Sequence, residues 1–164
     1  MSNSIVGGRA FGRSIVLAGA LLASAAIGTS PAGAGQCPTD KVKPDAREAV
    51  NTPGKGVTDT VIASIDLSKE PINAADRLQR LRKLVIEPGG IVPWHSHTDR
   101  PAIIYIIEGE IVEYASNCSV PIVHKTGEVS TETKGTSHWW KNLTDKTVVL
   151  LSFDILHDKN DHHM

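Results

Sequence analysis

From Val57 to Leu156 the chain is a succession of short aliphatic runs separated by turn residues, and no stretch keeps the apolar period of an amphipathic helix. Val57–Leu67 and Arg77–Gly90 are the first two runs, the second closing on Pro88-Gly89-Gly90, which reads as a turn. Ala102–Ala115 reads as two strands broken at Glu108-Gly109, Ser116–Ser119 as the next turn and Val120–His124 as a short strand. Thr147–Leu156 is apolar at most positions, which predicts a last strand buried on both faces. Arg80 and Arg82 share a strand face and read as solvated. Strands this short, with turns about every ten residues, predict an all-β sandwich or barrel.

The 164 residues leave room for one domain, and a net charge of -1 gives no electrostatic bias toward nucleic acid or an anionic membrane. Arg9 and Arg13, the apolar run Ile15–Ile27, and small residues at Ala32 and Ala34 follow the pattern of a secretory signal. The run of about 13 apolar residues is shorter than the roughly 20 that span a bilayer, so no membrane association is expected after cleavage near Ala34. The expected organisation is a signal peptide over 1–34, an extended arm over 35–60, a barrel over 61–157 and a disordered tail over 158–164, in a periplasmic or secreted protein. In an oxidising compartment the two cysteines, Cys37 and Cys118, read either as a disulfide closing a loop of about 80 residues or as two separate thiols.

Alternation puts His95 and His97 on one face of a strand, with Trp94 and Ser96 on the other. Turned into a barrel, two imidazoles would converge on one point and chelate a metal; at a solvated strand end they would do nothing. A second stretch, Gly127–Asn142, places His138 on a strand with Trp140 and Asn142 on its face.

Together these stretches resemble the two motifs of the cupin superfamily. Gly89, His95, His97 and Gly109 occupy four places of the first motif, and Gly127, Gly135, His138 and Asn142 four of the second, with Thr133 in place of a proline. The resemblance, covering about Leu78 to Leu156, implies a single small cupin β-barrel, a double-stranded β-helix or jelly roll. It carries the three ligand histidines onto His95, His97 and His138. The glutamate of the first motif would fall at Pro101 or Ala102, so that ligand is absent, and strict alternation from His97 makes Asp99 a substitute only if the register survives Pro101.

Three neutral imidazoles suffice for a divalent metal with open positions, and suit iron, zinc, copper, nickel or manganese. Without a carboxylate ligand the ion keeps its full charge, which favours a small anionic chelating substrate. Three-histidine cupins include oxygenases of diketones and thiols, so the resemblance implies a dioxygenase. A non-catalytic periplasmic module that binds a metal or small molecule, or a structural metal in a homodimer, are the other readings. Trp140 and Tyr105 are expected to line the pocket, Arg100 to anchor a substrate carboxylate or pair at the rim, and Asn142 to contact substrate or brace the strand end. Trp94 and Trp139 should point away from the ligand face.

Overall fold

The computed structural model describes Met1 and residues 36–157. Every described strand lies in the unit Pro31–Met164. Apart from Met1, the expected signal segment and the tail from 158 lie outside the described residues.

Eight strands form the body: β1 (Lys55–Asp66), β2 (Leu78–Ser96), β3 (Ala102–Glu108), β4 (Glu110–Ala115), β5 (Ile122–Lys125), β6 (Val129–Glu132), β7 (Ser137–Lys141) and β8 (Val148–Leu156). The only helical pieces among the described residues are two 3-10 turns, Thr39–Lys41 and Leu67–Lys69. All strand pairs are antiparallel, in the order β5-β4-β7-β2-β8-β3-β6, with β1 pairing with β2 as well. The result is an all-β, nearly closed barrel. β1 begins at Lys55, inside the stretch expected to form the extended arm.

β2 is the spine. Its first half lies between β1 and β8, and its second half pairs with β7. Pro88-Gly89-Gly90 therefore bends a continuous strand rather than ending it. Gly89 takes a φ of 72°, and a Cβ on Gly90 would sit 2.8 Å from Glu87 O, Gly56 O and Ile86 Cγ2, so only glycine fits the bend. Asn142 closes it from the facing strand end: its N–H donates to Gly90 O, and its side-chain Nδ2 donates to the carbonyls of Ile86, Glu87 and Lys146. Both amide groups of Asn142 are thus engaged with backbone, and the residue braces the bend.

Inward-facing Leu84, Ile86, Ile104, Ile106, Val148 and Leu150 pack with Trp140 into the core. Two sequence expectations fail around it. Along β8 burial alternates, and Phe153 is 41% exposed, so this strand is buried on one face only. Arg80 and Arg82 face inward rather than into solvent: Arg80 holds Asp154 with two hydrogen bonds of 3.0 and 2.7 Å, and Arg82 pairs with Asp59 and Asp154.

The arm docks on a smaller cluster of Ala115, Cys118 and Ile122. A Cys37–Cys118 disulfide joins it there, and Lys43 N–H donates to Asn117 O.

Candidate metal centre

β2 and β7 pair so that His95 lies directly opposite His138. His97, two residues along the chain, turns inward just past the end of β2. The three Nε2 atoms converge: His97 to His138 is 2.9 Å, and His95 lies 3.1 Å from each of the other two.

The opposite ring nitrogens set the tautomers. His95 Nδ1 is 2.9 Å from Pro93 O, His97 Nδ1 is 2.7 Å from Arg100 O, and His138 Nδ1 is 2.6 Å from Glu113 Oε1. Carbonyl and carboxylate oxygens only accept, so each Nδ1 must carry a proton. In the neutral rings all three Nε2 atoms are then bare lone pairs facing one another. Acceptors at this range repel unless a cation lies among them. Three nitrogens about 2.1 Å from one ion and about 90° apart would be separated by about 3.0 Å, so the spacing fits a metal bound on one face of an octahedron.

Buried groups tune the site. His95 and His97 are held neutral: burial lowers both, aided by the neighbouring His138, and His97 falls to about 4. Burial also works against charge on His138, but the Glu113 hydrogen bond and the Glu132 charge outweigh it and raise its pKa. Glu113 is pushed up by burial, yet the hydrogen bonds from His124 and His138 overcome this and hold the carboxyl ionised, below the usual range. Glu132 is pushed up, chiefly by burial. Glu113 thus bridges two histidines, His138 through Oε1 and His124 through Oε2 at 2.8 Å, and His124 stacks on Trp140 with centroids 4.4 Å apart. The Trp140 indole N–H points at the His138 ring, edge to face.

A cavity of about 30 Å³ adjoins the bare nitrogens, walled by Leu84, Val92, Ile104, Leu150 and Trp140, with Arg82 and Ser152 as its other polar groups. Behind His138 lies a second, polar space of about 150 Å³, lined by Glu113, Glu132, Ser130, Asn117 and Cys37 among others. Glu113, Glu132 and His138 also bring donor atoms together on that side.

The structure brings together His95, His97, His138 and Trp140 as the sequence indicates. Tyr105 does not join them: on β3 the inward positions are Ala102, Ile104 and Ile106, and Tyr105 is 41% exposed on the outside. Arg100 is buried, lends its carbonyl to His97, and is not among the residues lining the cavity. Asp99 is exposed, ion-paired with Arg77 and 3.0 Å from His157 Nδ1, which removes it as a substitute ligand. Trp139 faces away and stacks on Tyr114, and Trp94 is not among the residues lining the cavity. Sequence reasoning missed Glu113 and the contact that His124 makes with it. Each is a polar residue at an inward position, Glu113 between Ile111 and Ala115 on β4 and His124 beside Ile122 on β5.

The family model for the cupin domain matches residues 82–154. Among solved structures, a predicted oxalate decarboxylase from Thermotoga maritima is 22% identical with a TM-score of 0.51, the alignment covering 74% of this chain and 98% of that one. A cupin domain from Bordetella pertussis is 20% identical (TM-score 0.48; 65% and 99% covered). The cupin domain of Schizosaccharomyces pombe Cnp3 is 16% identical (TM-score 0.47), and the match covers 61% of this chain but only 64% of that one, under two thirds of its length. No curated protein sequence matches at a significant level. The antiparallel barrel, the histidines at both motif positions and the matched segment agree: over residues 82–154 this chain matches the cupin domain, and its fold is that of a cupin barrel.

Proposed function

We propose that the protein is an exported metal-dependent oxygenase that acts on a small anionic, chelating substrate. The observation that carries this reading is the convergence of three Nε2 atoms on one point beside an apolar cavity. A divalent ion bound by His95, His97 and His138 supplies Lewis acidity and, for iron, copper, nickel or manganese, redox chemistry toward dioxygen.

The chain's own residues set the charge and size of the substrate. Arg80 and Arg82 are balanced by Asp59 and Asp154, while ionised Glu113 offsets only part of a divalent charge. The remaining positive charge is buried, and an anion bound beside it relieves that cost. Arg82 and Ser152 are positioned to donate hydrogen bonds to such an anion, and Leu84, Ile104, Leu150 and Trp140 exclude water. A cavity of about 30 Å³ accepts only a few heavy atoms without rearrangement. Export is supported by the Cys37–Cys118 disulfide, since such bonds persist in oxidising compartments.

A non-catalytic binding module is the second reading. It is favoured by the placement of Glu113 and Glu132 behind His138, while Asp154 is held by Arg80 and Arg82, which leaves no carboxylate among the cavity's lining residues to act as a base. Oxygen uptake by the metal-loaded protein, measured with small diketones, thiols and carboxylates, separates the two. Substrate-dependent uptake that disappears in the His97→Ala variant supports the oxygenase. Tight binding of these anions with no uptake under any metal supports the module.

A further inference from the structure

Three neighbouring strands, β5, β4 and β7, carry three buried polar side chains whose arrangement the register fixes. Glu113 on β4 lies opposite Trp140 on β7, and Ala115 lies opposite His138, so His138 is a diagonal neighbour of Glu113. On the other side Glu113 lies opposite Ile122 and Ile111 lies opposite His124, so His124 on β5 is its other diagonal neighbour. Diagonal pairs in an antiparallel sheet stand about 7–8 Å apart, within reach of long side chains. Hydrogen bonds close both diagonals: His138 Nδ1 to Glu113 Oε1 at 2.6 Å, and His124 Nε2 to Glu113 Oε2 at 2.8 Å.

We propose that His124 is a positioning residue for the metal centre, acting on the ligand His138 through Glu113. The inference rests on the three-histidine reading above. The His124 N–H pins one carboxylate oxygen, so the other presents its lone pairs to the His138 Nδ1–H in a fixed direction. Without that N–H, Oε2 would lose its hydrogen bond in a residue only 2% exposed. The carboxyl group would then turn toward the polar space behind it to recover a partner, and the bond to His138 would loosen. Trp140 keeps the imidazole aimed: the two rings stack with centroids 4.4 Å and planes 19° apart.

The surroundings of His124 argue against packing as its sole purpose. It has no exposed surface, and its Nδ1 has no hydrogen-bond partner among the described residues. A buried nitrogen without a partner costs free energy, and a phenylalanine ring would stack on Trp140 without that cost. What the imidazole adds over phenylalanine is the Nε2–H, and that N–H goes to Glu113.

A double-mutant cycle tests this, read as Zn²⁺ affinity of the full chain in competition with a chromophoric chelator. His124→Phe keeps the stacked ring, loses the N–H and should bind Zn²⁺ about tenfold more weakly, within the range for lost partners of ligating histidines. His124→Gln, whose amide donates from near the place of Nε2, should recover most of that loss. In a Glu113→Gln background His124→Phe should add less than about twofold, because the path it works through is already broken. Should His124→Phe fail to fold, His124→Asn, whose shorter amide stops near the place of Nδ1, carries the test with the same expectation. Unchanged affinity in a folded variant with a lowered melting temperature would show a packing role and overturn the proposal. An equal loss in both backgrounds would overturn it too. A wild type that takes up no Zn²⁺ overturns the three-histidine reading itself, and this inference with it.

Discussion

Glu113 Oε1 lies 2.6 Å from His138 Nδ1, and this contact fixes which nitrogen of His138 can bind a metal. The carboxylate accepts the Nδ1 proton, turns Nε2 toward His95 and His97, and makes the ring a stronger base. It is also a carboxylate supplied from β4 in a chain whose β3 carries Ala102 where the family's glutamate ligand would project. The buried carboxylate stands at the back of one ligand.

Replacing Glu113 with Gln should therefore weaken metal binding without unfolding the barrel. A loss of about 10- to 100-fold in affinity is expected, as for other buried partners of ligating histidines. Competition against a chromophoric chelator measures it, and an unchanged dissociation constant would show that the contact is only structural.

Metal binding should be pH-dependent in one direction. His138 is raised above the ordinary histidine value, whereas His95 and His97 are depressed. Below the folded pKa of His138 the ion must displace one proton, so affinity should fall about tenfold for each pH unit, and level off above that pKa. In the metal-free protein the same proton stabilises the fold, fully below the unfolded value of about 6.5, and this contribution is lost as pH rises through the folded value. Chelator titrations from pH 5 to 9 on wild type and the Glu113→Gln variant distinguish the cases: the variant's break should move to lower pH.

The strands are legible in the sequence because alternation and glycine turns are local signals, and His95, His97 and His138 stand at motif spacings. What stays hidden is long-range. Gly89 looks like a terminator, and only the pairing of both halves of β2 shows it to be a bend. Arg80 and Arg82 read as solvated because charge usually is; their burial depends on Asp154, more than seventy residues away. Residue type alone suggests the pocket for Tyr105, against an alternation that Ile104 and Ile106 already set.

The Arg80–Asp154–Arg82 network gives a stability test. Asp154 has no exposed side-chain surface, so Asp154→Ala leaves two guanidinium groups buried with a missing partner. A loss of about 3–5 kcal/mol in denaturant unfolding is expected. A loss under about 1 kcal/mol would mean that the network reorganises at little cost.

Reduction of Cys37–Cys118 should lower the melting temperature, because the bond closes a separation of 81 residues. The model-dependent entropic contribution is about 2–4 kcal/mol. Calorimetry with and without reductant, with thiol titration to confirm opening, reads the shift directly; an unchanged melting temperature after confirmed reduction would mean that the arm adds nothing to the barrel.

The most direct test of the metal centre is elemental analysis of the protein after reconstitution and desalting, beside the His95→Ala/His138→Ala double variant. About one divalent ion per chain in the wild type, and almost none in a folded double variant, is the predicted result. A wild type that loads no metal, or a double variant that keeps its ion, contradicts the assignment of His95, His97 and His138 as the ligands.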